Sequence, residues 1–257
     1  MYVITLANQK GGVAKTTTAN ALANGLFDRG YSVLGIDLDP QSNFTLSVGF
    51  DSLAIDSTIY DVFRGSKQLS DVIYTSSLGF DVVPGGLDLA AADMEFVHLG
   101  REKMLSKAIA TLSDRTYDYV IIDTPPTLGI LTANALIASN NLIVPMCADI
   151  YSLQGLSQLS GFLTNVRENG NPRLNLLGLL VTKYHQNQIL SRTLNEQIDI
   201  AAKQLSTKVF STRIRESVAL REIALAQADM FREAPRANAT LDYKAFIDEL
   251  LGGLDND

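Results

Sequence analysis

Two lysines, two glycines and a hydroxyl cluster lie close together near the start of the chain, in Lys10-Gly11-Gly12-Val13-Ala14-Lys15-Thr16-Thr17-Thr18. An apolar run precedes them and a helical pattern follows. A tight turn in that setting presents several backbone N–H groups to one point. The positive end of the helix dipole adds to them, so the point binds anions. Gly11 and Gly12 remove side chains where the backbone must approach a phosphate closely. Lys15 is placed to bridge the β- and γ-phosphates of a nucleotide, and the Thr16 hydroxyl to ligate Mg²⁺. The common pattern G-x-x-x-x-G-K-[ST] is broken at both glycines, by Gln9 and by Ala14. If position 14 has a positive φ, alanine there costs roughly 1–2 kcal/mol of local strain.

Carboxylates gather behind this loop. Ile36-Asp37-Leu38-Asp39-Pro40-Gln41 places two of them at alternate positions of a strand end, which predicts that both face the phosphates. Val120-Ile121-Ile122-Asp123-Thr124-Pro125-Pro126 places a third at the tip of an apolar run, where Mg²⁺ takes a ligand, usually through water. Taken singly, each Asp before a Pro reads equally as a turn former.

The elements that must position these groups show in the apolar pattern. Val3–Ala7, Val33–Ile36, Phe80–Val83, Tyr119–Ile122, Leu142–Pro145 and Leu176–Val181 are short, consecutive apolar runs, as in parallel strands buried on both faces. Helical spacing marks Thr16–Phe27, Lys103–Leu112, Leu131–Ala138, Leu153–Val166 and Leu194–Leu205. Strand–helix alternation predicts an α/β fold: three αβα layers around a mostly parallel twisted sheet, with ligands beyond the C-terminal strand ends. Short helices are expected between Gly49 and Gly79, and the whole chain, 1–257, reads as one domain.

The chain has 257 residues, 46% hydrophobic and 19% charged, with a net charge of −7. That length buries enough apolar surface to need no staple. The single cysteine, Cys147, excludes an intramolecular disulfide and a zinc knuckle, and a reducing cytoplasmic setting is expected. No secretory leader and no spanning helix are expected. His98 and His185 read as separate surface residues, Cys147 as a buried filler, and Met94, Met104 and Met230 as packing.

Lys10-Gly11-Gly12-Val13-x-Lys15-Thr16-Thr17 resembles the deviant Walker A loop of the ParA/MinD class of P-loop ATPases. Asp37 to Gln41 resembles its D-x-D-P-Q segment, and Asp123-Thr124-Pro125-Pro126 its Walker B aspartate with D-x-P-P. The resemblance covers nearly the whole chain. Asn8-Gln9-Lys10, Tyr151 to Leu159 and Val209-Phe210-Ser211-Thr212 are similar to the small Soj-type partition ATPases. It implies ATP and Mg²⁺ as cofactors, with residues 10–17 and Asp37 around the nucleotide and Thr182 and Lys183 beside the base. Thr16, Asp39 and Asp123 would serve the metal. Lys10 would be the signature lysine that reaches across an ATP-sandwich homodimer to the partner's nucleotide, acting as an arginine finger does. Lys10, Lys15 and Asp39 would be catalytic, with Asp39 orienting the attacking water and Asp37 helping to hold the loop and metal shell. Ala14, where the family has glycine, makes nucleotide binding a firmer expectation than fast hydrolysis.

The implied role is segregation of plasmid or chromosomal cargo. An ATP dimer would bind nucleoid DNA without sequence preference and be released by a ParB-like partner, giving a cytoplasmic, nucleoid-associated protein. Because the chain opens directly on its first strand, operator-specific DNA binding is not expected. Seven cations between residues 183 and 221, against three acids, leave a local +4 that could supply a DNA face. Its candidates are Arg192, Lys208, Arg213, Arg215 and Arg221; the family's I-P-R segment reads Ile214-Arg215-Glu216 here. One alternative is a MinD-like membrane-associated positioning ATPase, disfavoured because the tail around Tyr243–Leu251 runs into acidic residues. Another is a nucleotide-gated scaffold whose hydrolysis Ala14 has damped.

Overall fold

Chain segments hidden on both faces need no polar side to turn toward water, so the continuous apolar runs become interior strands. The computed structural model describes residues 1–51, 54–112, 117–185 and 191–254. The strands are β1 (Tyr2–Leu6), β2 (Val33–Asp37), β3 (Tyr74–Thr75), β4 (Asp81–Val83), β5 (Tyr119–Asp123), β6 (Asn141–Cys147) and β7 (Asn175–Thr182). They form one sheet in the order β3-β4-β2-β5-β1-β6-β7, parallel except for the β3–β4 pair. Register sets the site. Leu6 lies opposite Asp123, and Asp123 opposite Asp37, so β1, β2 and β5 end side by side at one sheet edge.

The helices are α1 (Lys15–Phe27), α2 (Asn43–Ser47), α3 (Ile59–Phe63), α4 (Ala92–Glu95), α5 (Met104–Ile109) and α6 (Ile130–Ala138), followed by α7 (Ile150–Asn169), α8 (Ser191–Gln204), α9 (Val218–Leu225), α10 (Met230–Glu233) and α11 (Asn238–Leu254). Alternate strand residues go to opposite faces. Ile4, Leu6 and Ile121 join Leu22 of α1 and Phe246 and Ile247 of α11 on one side. Val3, Val120 and Ile122 join α5 and α6 residues on the other, and Leu142, Val144, Leu179 and Val181 meet α7 and α8. This is the expected three-layer arrangement. Gly25 lets α11 approach α1, since a Cβ there would strike Ile247 Cδ1.

Several local expectations need correction. The stretch after β2 holds short helices but also β3, a two-residue antiparallel edge strand too brief to leave a periodic signal. The helix expected over 103–112 is a 3₁₀ turn at Arg101–Lys103 and the short α5. Met94 does not pack: it is 79% exposed, with Leu87, Val97 and Leu99 exposed near it. Cys147 is half-buried rather than a core filler. Residues 209–215 run beside β7, bridged at Leu179↔Val209 and Tyr184↔Arg215.

Candidate functional site

The loop after β1 is fixed by side chains as well as by its glycines. Asn8 Nδ2 donates to the Pro145 carbonyl at 2.8 Å, and Asn8 Oδ1 accepts from the Lys10 amide at 2.9 Å. Pro145 lies in β6 beyond the residues that pair with β1, so its missing N–H leaves no gap in that ladder. Gly12 has φ +73° and Ala14 φ +60°, ψ +33°, which meets the condition for strain at position 14. Ala14 caps α1 without a side-chain hydrogen bond. Its carbonyl accepts from the Thr18 amide at 2.9 Å and the Thr18 hydroxyl at 2.7 Å. That hydroxyl lies 3.0 Å from the Tyr243 hydroxyl, which ties the loop to α11.

A cavity of about 860 Å³ opens over this loop. Gly11, Gly12, Ala14, Lys15, Thr16 and Thr17 form its floor, Asp39 and Pro126 one wall, and Thr182 and Lys183 another. Val13, expected beside the nucleotide, does not line the cavity: the residue is fully buried. Thr182 is also a brace, its Oγ1 lying 3.1 Å from the Val13 carbonyl and 3.2 Å from that of Met146. The cavity extends past residues 214–217 to α2, α9 and Tyr243.

Lys15 is buried, its ammonium donating to the Lys10 carbonyl at 3.2 Å. Burial lowers its pKa, and the nearby carboxylates of Asp123 and Asp39 partly offset this. The Thr16 hydroxyl donates to Asp123 Oδ2 at 2.7 Å, whereas Asp123 Oδ1 is buried without a hydrogen-bond partner. Burial, with Asp37 beside it, pushes the Asp123 carboxyl well above the usual carboxylate range. An orphaned carboxylate oxygen next to a hydroxyl at a phosphate loop fits Mg²⁺, which takes one or two carboxylates plus phosphate oxygens and water. Among the described residues no cluster of three or more His, Cys, Asp or Glu could hold a metal alone. The site therefore suits a metal that arrives with phosphate.

The two carboxylates after β2 part company. The strand ends at Asp37, so alternation stops there. Asp39 lines the cavity, its Oδ1 accepting from the Gln41 amide at 3.0 Å. Asp37 does not line it: fully buried, it accepts from the Asp39 amide, the Thr45 amide and the Thr45 hydroxyl. Burial pushes its pKa up to about 6 against those hydrogen bonds. The expectation that Asp37 faces the nucleotide is thus replaced by a place behind it.

Lys10 turns away from its own cavity. Its ammonium lies 2.5 Å from Asp149 Oδ2 at the start of α7, 3.4 Å from the Ser152 hydroxyl and 5.9 Å from the Tyr151 ring centroid. Partial burial raises the Asp149 carboxyl, but the hydrogen bonds from Lys10 and Ser152 outweigh it and hold the pKa below its ordinary value.

The basic residues scatter. Arg215 is not an available cation: it makes a paired contact with Asp242, Nη2 to Oδ1 at 2.6 Å and Nε to Oδ2 at 2.9 Å. Lys208 stands beside Leu176 and Leu254, at the opposite end of β7 from the nucleotide cavity. Arg213 lies over the Tyr184 ring at 5.1 Å, and Arg221 is exposed on α9. The side chain of Arg192 lies outside the described residues. Asn8, Thr18, Thr45, Asp149 and Tyr243, which hold the site together, carry no signal that singles them out by type and spacing alone.

Comparison with known proteins places this geometry. A family model described as an AAA domain matches residues 1–176. The chromosome-partitioning ATPase Soj of Thermus thermophilus is 37% identical over 248 residues, 96% of this chain and 94% of that one. The sporulation initiation inhibitor protein Soj of Bacillus subtilis is 36% identical over 222 residues, covering 86% of each. Cobyrinic acid a,c-diamide synthase of Mycobacterium smegmatis, solved with an ATP analogue and magnesium, superposes with a TM-score of 0.86 at 32% identity, over 99% of this chain and 96% of that one.

Proposed function

Because the chain belongs to the ParA/Soj family of P-loop ATPases and uses ATP with Mg²⁺, we propose that it is a nucleotide switch that positions DNA cargo. ATP closes a homodimer, the dimer binds nucleoid DNA without sequence preference, and a ParB-like partner stimulates hydrolysis and release. Since a shared scaffold carries both partition and synthase names among its relatives, the role must be argued from the site.

The observation that carries the reading is the direction of Lys10. A cation in the phosphate loop that points out of its own cavity is available to a second protomer's nucleotide, where it completes the charge around the γ-phosphate. Lys15 neutralises the β- and γ-phosphates from within. Thr16 and Asp123 would hold Mg²⁺, and the ion would supply charge neutralisation for the phosphate oxygens. Asp39, the carboxylate that lines the cavity near Lys15, aligns the attacking water. Thr182 and Lys183 close the base side.

For DNA, the exposed Arg221 of α9 carries the reading, with Arg213 before it along the chain. Arg215 and Lys208 do not join that face. The membrane alternative loses support from α11, whose Tyr243, Phe246, Ile247 and Leu250 are buried against the core and not offered to lipid. Among the described residues no helix is long and apolar enough to cross a membrane.

Sedimentation with ATP or ADP, with and without DNA, tests the switch. Dimers that form only with ATP, bind DNA, and are lost in Lys10→Ala are the expected result. Monomers under every condition would overturn it. Phosphate release that DNA and partner leave unchanged would instead favour a scaffold.

A further inference from the structure

Asp39 can align water only if its backbone is held, yet it lies two residues past the end of β2 in a turn where Ser42 has φ +52°. What holds it is a chain of buried hydrogen bonds running from Asp39 through Asp37 and Thr45 to Gly85. Asp37 Oδ1 accepts from the Asp39 amide at 3.0 Å. Asp37 Oδ2 accepts from the Thr45 amide at 2.9 Å and the Thr45 hydroxyl at 2.7 Å. The same hydroxyl accepts from the Gly85 amide, just after β4, at 3.0 Å. Gly85 in turn sits so close that a Cβ would come within 2.9 Å of the Asp37 carbonyl oxygen and 3.2 Å of that of Asp39. Thr45 and Asp37 are both fully buried.

From this chain of bonds we infer that Thr45 is a positioning residue for hydrolysis: its hydroxyl locks Asp37 and Gly85 together beneath Asp39 and so aims the Asp39 carboxylate into the cavity. The hydroxyl is the one group in this chain of bonds that both donates and accepts. Serine reproduces both bonds, valine keeps the shape and loses both, and alanine loses both while relieving volume. Thr45 does not line the cavity, so its loss should leave ground-state nucleotide binding to Lys15 and the loop amides. The effect falls on the geometry that water needs in the transition state, where small displacements are costly.

The inference rests on the assignment of Asp39 to the attacking water, so Asp39→Ala is measured alongside. Steady-state phosphate release and affinity for a non-hydrolysable ATP analogue are determined for the full chain and for Thr45→Val, Thr45→Ala and Thr45→Ser, with thermal melts confirming folding. The expected result is a kcat roughly 10- to 100-fold lower for the Val and Ala variants, with analogue affinity within about threefold and Thr45→Ser within about twofold of the parent. Parallel loss of kcat and analogue affinity, failure of serine to rescue, or failure of both the Val and Ala variants to fold would make Thr45 structural and overturn the inference. Wild-type kcat in the Val or Ala variant would do the same. Wild-type turnover in Asp39→Ala would overturn the assignment of Asp39. An inactive Asp39→Ala beside normal Thr45 variants would overturn only the role of Thr45.

Discussion

Replacing Ala14 with glycine should stabilise this protein, although the same change in a helix interior destabilises. Ala14 sits at φ +60°, ψ +33° in the phosphate loop, where an L-residue with a Cβ pays roughly 1–2 kcal/mol. Glycine relieves that strain but gains freedom in the unfolded chain, which costs about 0.5–1 kcal/mol. The difference is a net gain of about 0.5–1 kcal/mol, and for a chain of this size that raises Tm by roughly 1–4 °C. Ala23→Gly, a buried position of α1, provides the opposite sign, a loss of about 1 kcal/mol or more. Denaturant midpoints of the nucleotide-free proteins read both. Because Ala14 also lines the cavity, phosphate release by Ala14→Gly should exceed that of the parent. A less stable Ala14→Gly would refute the strain argument, and unchanged turnover would show that the methyl group does not impede hydrolysis.

Stability of the nucleotide-free protein should fall as pH rises from about 4 to 6. Asp37 titrates near 6 when folded and near 3.9 when unfolded, so the native state binds the extra proton and loses about 3 kcal/mol as it ionises. Asp123, also raised, acts in the same direction, and Asp37→Asn should flatten the profile read from urea midpoints; a parent profile that climbs across this window would contradict the assignment. Asp123→Asn should lower phosphate release by about 10²–10³-fold and abolish the Mg²⁺ dependence of nucleotide affinity by titration, since Asp123 Oδ1 has no other partner. Arg221→Ala should reduce the slope of log affinity for DNA against log salt by about one, whereas Arg215→Ala should leave that slope unchanged and lower the melting temperature, because Arg215 is bound to Asp242.

What could be read from the sequence was what adjacency carries. The loop from Lys10 to Thr18 is contiguous, its strand and helix flank it, and Asp39 and Asp123 follow short apolar runs that read as strands. Even the strain at Ala14 was legible, because one backbone angle decides it. What could not be read depends on partners distant in sequence. Asp37 looked like a phosphate-facing carboxylate until Thr45 and Gly85 closed around it. Arg215 counted as a free charge because charge counting does not see Asp242. Met94 fitted a helical pattern, but α4 is one turn long and leaves it in water.

The resting place of Lys10 has the strength a switch requires. Both partners of the Lys10–Asp149 pair are about a third exposed, and ion pairs of that kind contribute only about 0–1 kcal/mol. Asp149 does not depend on the lysine. Its other oxygen accepts from the Ser152 amide at 2.8 Å and caps α7, so Lys10 can leave without loosening the helix. A triphosphate in a facing protomer offers several negative charges in a less hydrated site, where attraction exceeds that of one half-solvated carboxylate. A diphosphate lacks the γ-oxygens, and the balance returns to Asp149. In the proposed dimer the charge of the nucleotide therefore decides where Lys10 points, and its release leaves the cap of α7 in place.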